Sequence, residues 1–235
     1  DIIGGYDPVN NTYEGLELIN HCFSFYRKVP TMILAPKFCE DSAVAAVMDT
    51  KADRVNTVFK CMSIVDIPSN ITKYTDAPNT KNQNNIVSPN QIVCWPKVKL
   101  GDYVYRLSTQ LAGLMMTVDY NNNDVPKESP SNKQLKIDGV VTGTKASYKS
   151  VALDLDQANY LNENGIVTAF NFANGWTAWG NRTAAYPANT DPKDAFIPAK
   201  RLVQHYDNSF ILTHWVDIDK PTTKRLVDSI VDSRN

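Results

Sequence analysis

Thr31-Met-Ile-Leu-Ala35 and Phe59-Lys-Cys-Met-Ser-Ile-Val65 are two short apolar runs, and each is typical of a strand that is covered on both faces. Between them, Asp41 to Val55 is rich in alanine and has apolar residues at helical spacing. A strand, a helix and a strand joined by short connections form a βαβ unit, which makes the two strands parallel. The sequence therefore predicts an α/β fold: a mixed, partly parallel sheet with helices packed on its faces.

Capping residues and helical spacing predict three more helices along the chain. Thr12 is a candidate N-cap for an amphipathic helix over Tyr13 to Tyr26. Ser108 is a candidate cap for a helix that follows the middle of the chain. Asp154 and Gln157 have the spacing of a capping box, so a short helix is expected to begin there.

Two further helices are predicted near the end of the chain, around Ala199 to Tyr206 and over Thr222 to Ser233. Between them, Ser209 to Trp215 is compatible with a continued helix and equally with a strand, because its apolar residues fit both periods.

Two further pairs of strands are predicted. Gln91 to Trp95 and Tyr103 to Leu107 flank a glycine-containing turn. Ile166 to Phe172 and Trp176 to Trp179 lie on either side of Asn174-Gly175, a dipeptide that strongly favours a tight hairpin.

Two polar stretches are predicted to lie outside the sheet. Pro68 to Asn90 is rich in Asn, Thr and Pro, so we expect a long ordered loop over the strand ends. Residues 120–152 are expected to form an exposed loop with a hairpin that protrudes around Asp138-Gly139. Both belong to one α/β domain covering residues 1–235.

The bulk composition is that of a folded globular domain, with 43% hydrophobic and 21% charged residues. A net charge of -1 supplies no field that would attract nucleic acid or an anionic membrane. No apolar run approaches the roughly 20 residues that span a bilayer. We therefore expect neither a nucleic-acid partner nor membrane insertion.

The reactive residue types do not form a recognisable catalytic, cofactor or metal site. The cysteines, whose spacings do not suit zinc, are expected to be buried free thiols, with disulfides remaining possible because their number is even: Cys22, Cys39, Cys61 and Cys94. His21 adjoins Cys22, but neighbours on a helix point about 100° apart, so packing explains this pair better than thiol activation. No glycine-rich phosphate loop and no Gly-x-Ser-x-Gly elbow occurs. The sequence predicts no enzyme, no cofactor and no metal.

Aromatic and charged residues near the last hairpin are the candidates for a binding or structural role. Trp176, Trp179 and Tyr186 would suit a sugar-binding strip, but two residues three apart on a strand do not share a face, so at least one tryptophan is expected in the core. Arg182 is expected to tie the end of the hairpin to loop carbonyls or to a carboxylate such as Asp191 or Asp194, with a subunit contact as the alternative.

The same region carries a resemblance to a known family. The run Gly175-Trp-Thr-Ala-Trp-Gly-Asn-Arg-Thr-Ala-Ala-Tyr-Pro-Ala-Asn-Thr-Asp-Pro-Lys-Asp-Ala-Phe-Ile-Pro198 resembles the sheath proteins of contractile phage tails, the family of Mu-type and related myophages and of phage-tail-like bacteriocins. Runs in the same order elsewhere are also similar to that family: Lys81–Asn85, Gln91–Asp102, Ser108–Leu114, Ser129–Lys133, Leu153–Leu161 and Pro221–Ser233.

The resemblance implies a structural subunit that assembles with copies of itself into stacked hexameric rings around a tail tube and contracts to drive the tube through a bacterial envelope. It implies the tail tube and baseplate as partners, a place in a phage tail or tail-like particle, and assembly in the host cytoplasm. It also suggests that this chain is the middle of a longer protein, without the terminal linkers, so that the chain alone is expected to be monomeric.

Structural or interface roles are expected for the residues singled out above and for one neighbour: Trp176, Trp179, Asn181, Arg182, Tyr186, Asp191 and Asp194. Two rival interpretations remain, a hydrolase-like α/β enzyme and a glycan-binding module. A pocket with clustered polar groups around His205, His214 or Cys22 would favour the enzyme, and an exposed flat Trp176 or Trp179 would favour the glycan-binding module.

Overall fold

The computed structural model describes residues 2–173 and 175–233 of the chain. The strands are β1 (Gly5–Asp7), β2 (Thr12–Glu14), β3 (Met32–Leu34), β4 (Met62–Asp66), β5 (Gln91–Cys94), β6 (Lys97–Leu100), β7 (Tyr103–Tyr105), β8 (Gly139–Thr142), β9 (Lys149–Val151), β10 (Ile166–Phe172) and β11 (Gly175–Trp179). The α-helices are α1 (Cys22–Tyr26), α2 (Ser42–Asp53), α3 (Ala77–Gln83), α4 (Leu107–Asn121), α5 (Leu155–Glu163), α6 (Pro192–Ala195), α7 (Ile197–His214) and α8 (Lys224–Asp232). Short 3₁₀ segments cover Gly15–His21, Phe38–Glu40 and Trp215–Asp217.

The central sheet has the strand order β11-β10-β5-β4-β3. Strands β3, β4, β5 and β10 are parallel to one another, and β11 pairs antiparallel with β10. In register, Ile33 lies opposite Ser63, and Ile64 lies opposite Ile92. The predicted α/β fold with a mixed, partly parallel sheet is confirmed.

Helices cover both faces of the central sheet because both faces are apolar. All five residues of β4 are buried, and successive side chains face opposite sides of a strand. Val65 packs with Met48 of α2 in one core, whereas Ile64 packs with Leu111 and Met115 of α4 in the other. The predicted βαβ unit of β3, α2 and β4 is therefore present, and it fills one of two cores.

A second, antiparallel sheet with the order β7-β6-β8-β9 packs on the α4 side of the central sheet. Its strands β8 and β9 form a hairpin, but the turn of this hairpin lies after Thr142 and not around Asp138-Gly139 as expected. Residues 120–152 are not exposed along their whole length. The apolar side chains before and within β8 are buried: Leu135, Ile137, Val140 and Val141. Only the tip, residues 144–150, is exposed throughout. The alternating apolar side chains of this segment pack on the domain, so the base of the hairpin is buried.

Two sequence expectations about local structure are wrong in detail. Thr12 does not cap a helix over Tyr13 to Tyr26, because Tyr13 pairs with Tyr6 in a hairpin of β1 and β2. Gly15 then has a φ of 55°, and a 3₁₀ segment leads into the short α1. Pro68 to Asn90 contains α3, in which a proline occupies the first turn.

Other local expectations are confirmed. Asp154 and Gln157 form both bonds of the capping box at the start of α5. Of the helix and the strand that the sequence left open for Ser209 to Trp215, the structure has the helix, which continues α7 as far as His214. In the hairpin of β10 and β11, Gly175 has a φ of 80°, which suits glycine, while Asn174 lies outside the described residues.

The N-terminus of α4 is capped from outside the helix by a buried carboxyl group. Asp66, at the end of β4, accepts hydrogen bonds from the Ser108 backbone N–H at 3.0 Å and from the Ser108 hydroxyl at 2.5 Å. The Cys39 thiol donates to the same carboxyl group at 3.6 Å. Burial raises the pKa of Asp66 to about 6, although the Ser108 bonds act to lower it. Ser108 is thus the residue that is capped, and not the cap that the sequence predicts.

The variant Asp66→Asn should change how stability depends on pH. The folded-state pKa of about 6 lies above the ordinary value of 3.8, so Asp66 destabilises the fold as pH rises through this window. Asn does not titrate, so the free energy of unfolding of the variant relative to the parent should rise by about 3 kcal/mol from below pH ~4 to above pH ~6. Urea unfolding at both pH values measures this difference.

Ser108→Ala is the companion variant, because it keeps the carboxyl group and removes the hydroxyl that lowers its pKa. Without the Ser108 hydroxyl, the pKa of Asp66 should rise further. The loss of stability with rising pH should therefore continue to a higher pH in Ser108→Ala than in the parent. A pH-independent difference between Asp66→Asn and the parent would show that Asp66 does not titrate in this way.

Candidate functional site

Hydrogen bonds join the segment that follows β11 to residues 194–197. The Thr183 N–H donates to the Ala195 carbonyl at 2.9 Å, and the Ile197 N–H donates to the Asn181 carbonyl at 2.8 Å. The Thr183 hydroxyl also donates to the carbonyl of Asp194 at 2.6 Å. These bonds make residues 180–197 a closed loop rather than a mobile one.

Two side chains from other elements fasten this loop to the domain. Ser131 Oγ accepts the Gly180 N–H at 3.0 Å. Asn162 Oδ1, on α5, accepts the Asn181 N–H at 3.1 Å. The backbone of the candidate residue Asn181 is therefore held from both sides, which supports a structural role for it.

Arg182 lies between two aromatic rings. Its guanidinium carbon is 4.4 Å from the centroid of Tyr186 and 3.8 Å from the centroid of Phe196. The planar guanidinium is suited to this arrangement, because it stacks on ring faces that carry partial negative charge. Arg182 thus joins the two strands of the loop through their aromatic side chains.

The predicted carboxylate partners of Arg182 are wrong. Among the described residues, Asp194 pairs with Lys193 at 2.7 Å and with Lys200 at 3.0 Å. The hydrogen bonds from Lys193 and Lys200 lower the pKa of Asp194 to about 2. Asp191 accepts the Lys193 N–H as the N-cap of α6. Sequence spacing does not reveal which of several nearby cations each carboxylate selects.

The two tryptophans of β11 are half-buried and face opposite sides of the strand. Trp176 packs against the core on the α4 side of the central sheet. Trp179 Nε1 donates to Asn159 Oδ1 at 3.0 Å, and its ring lies 5.6 Å from that of Phe170. Neither ring forms the flat exposed platform that a glycan-binding module would need.

Lys81 is a structural residue that the sequence analysis did not single out. Its side chain is buried, with 2% of the residue exposed. Its ammonium group donates to the carbonyls of Asn164 at 2.8 Å and Tyr186 at 2.9 Å, so it joins α3 to the end of α5 and to the closed loop. Burial lowers the pKa of Lys81 to about 8. The sequence signal that could have pointed to Lys81 is its position at the start of a run that resembles the sheath family.

The carboxyl ends of the parallel strands, where α/β enzymes place their ligands, are filled by a structural network. Glu40 pairs with Arg106 and accepts two hydrogen bonds from Ser69. The cleft beside this network has a volume of only about 10 Å³. Burial raises the pKa of Cys39 to about 12, so its thiol is not activated. The cleft beside this network is therefore too small for a substrate.

A larger cleft of about 320 Å³ lies beside His205 on α7. Several of its polar side chains hold α7 in place. Arg201 makes a two-pronged ion pair with Asp119, at 3.0 and 2.5 Å. Gln204 donates to the Cys61 carbonyl and to Asn90. Within residues 2–173 and 175–233, no hydrogen bond or ion pair joins the His205 ring to a carboxylate or thiol. His205 is therefore not part of an acid–base pair among the described residues.

The remaining candidates for chemistry are also engaged in packing. The His21 ring lies between those of Tyr13, at 4.2 Å, and Phe25, at 5.3 Å. Cys39, Cys61 and Cys94 are buried free thiols as predicted, and Cys22 is a half-buried free thiol. In the described part of the chain, no group of three or more His, Cys, Asp or Glu side chains is placed to hold a metal ion. None of the helices in that part is long and apolar enough to cross a membrane.

Comparison with known proteins gives curated relatives that are tail sheath proteins, and two of them match nearly the whole chain. The chain is 27% identical over 247 aligned residues to the tail sheath protein of Burkholderia phage BcepMu, covering 100% of this chain and 50% of the relative. It is 27% identical over 240 residues to a putative prophage major tail sheath protein of Pseudomonas aeruginosa, covering 98% of this chain and 57% of the relative. The chain thus spans about half the length of these relatives. No family model matches the chain.

Two solved structures have a similar fold. The helical sheath of the anti-feeding prophage in its contracted state matches with a TM-score of 0.65 at 20% identity, covering 87% of this chain and 53% of the other. A chain from the contracted anti-feeding prophage baseplate matches with a TM-score of 0.69 at 18% identity, covering 94% and 59%.

The fold and its interior place the chain in a class of rigid α/β domains whose polar groups serve packing, and the solved structures show that contractile injection particles use the same fold. The curated tail sheath proteins match the sequence from end to end, and these matches support a contractile tail sheath family for the chain.

Lys81→Met should lower the stability of the domain strongly. The substitution leaves the Asn164 and Tyr186 carbonyls without their shared donor, and a buried unpaired polar group costs about 1–3 kcal/mol. The free energy of unfolding, measured in urea, should fall by a few kcal/mol. Lys73→Met, at an exposed position of the same segment, is the matched control and should change it by less than about 0.5 kcal/mol. Equal effects of the two variants would contradict the structural role of Lys81.

Arg182→Lys should lower stability by about 1 kcal/mol although it keeps the charge, because a lysine ammonium cannot stack between two ring faces. Thermal unfolding of the variant, compared with Arg54→Lys at an exposed site, measures the effect. If Arg182→Met were as stable as the parent, the cation between the rings would have no structural value.

Proposed function

We propose that this chain is the core of a structural subunit of a contractile tail sheath. In this proposal, copies of the full protein form stacked hexameric rings around a tail tube, and rearrangement of the rings drives the tube through a bacterial envelope. The observation that carries it is the match of the whole sequence to a protein named as a tail sheath protein. The fold shared with the anti-feeding prophage helical sheath supports the same function.

The interior of the domain suits the proposed sheath function. A sheath must change its inter-subunit contacts while each subunit moves largely as a rigid body. Two apolar cores pack on opposite faces of one sheet, and the closed loop over residues 180–197 is fastened by Ser131, Asn162 and Lys81. Close packing of this kind resists deformation, so force applied at one surface is transmitted to another.

The proposed partners are further copies of the protein, the tail tube and the baseplate, and the proposed location is the tail of a phage or tail-like particle that is assembled in the host cytoplasm. The fold shared with a chain of the anti-feeding prophage baseplate assembly supports a baseplate contact. The roles proposed for Trp176, Trp179, Asn181, Arg182, Tyr186, Asp191 and Asp194 are to stiffen the closed loop and its hairpin. No catalytic step is proposed, because the polar groups of both clefts already hold elements of the fold together.

Electron microscopy of the complete gene product, expressed alone, tests this function. We expect long hollow cylinders with rings of six subunits. The 235-residue chain, which spans half the length of its sheath relatives, is the matched control and should remain monomeric by light scattering in dilute solution. Dispersed complete protein, or turnover of a metabolite that is lost on replacing a single side chain, would overturn the proposal.

A further inference from the structure

We draw no further inference here: the strongest candidate, the open cleft on the antiparallel sheet lined by Lys99, Tyr103, Lys145 and Tyr148, belongs to a chain that spans about half the length of its curated relatives, and nothing in the structure shows what covers it.

Discussion

Burial of both faces of β4 is the constraint on which the rest of the structure depends. All five residues of this strand are inaccessible, so each face of the central sheet must be covered by helices. Helix α2 covers one face, while α4 and the antiparallel sheet cover the other. The two cores, the position of the cleft under α7 and the closed loop after β11 all follow from this three-layer arrangement.

Buried polar groups lock these layers together. The Asp66 carboxyl group joins the end of β4 to the first turn of α4. The Lys81 ammonium group joins three segments that are far apart in sequence, and Arg201 with Asp119 joins α7 to α4. These buried side chains act as structural links between the layers. Under the proposed sheath function, such links would keep each element in place when the subunit moves as a rigid body.

Local signals predicted the elements well where the physics is local. The capping box of Asp154 and Gln157 needs only four consecutive residues, and it forms as expected. The helix expected over Tyr13 to Tyr26 failed because Tyr13 pairs with Tyr6 in a short hairpin, and Tyr6 lies outside the segment with helical spacing. The base of the β8–β9 hairpin was expected to be exposed because its neighbours are polar, yet its valines complete a core built from other strands. In both cases the partner lies outside the segment from which the expectation was made.

By itself, the sequence determined the α/β class, the βαβ unit of β3, α2 and β4, the α5 cap and the resemblance to tail sheath proteins, because these depend on local periodicity and on the order of residues along the chain. Only the tertiary structure decided the stacking of Arg182 on two rings, the burial of Lys81 and the pairing of Asp194 with lysines. Each of those outcomes is a choice among partners brought together by folding. The free energy of that choice comes from desolvation and geometry, and neither is a property of a residue in isolation.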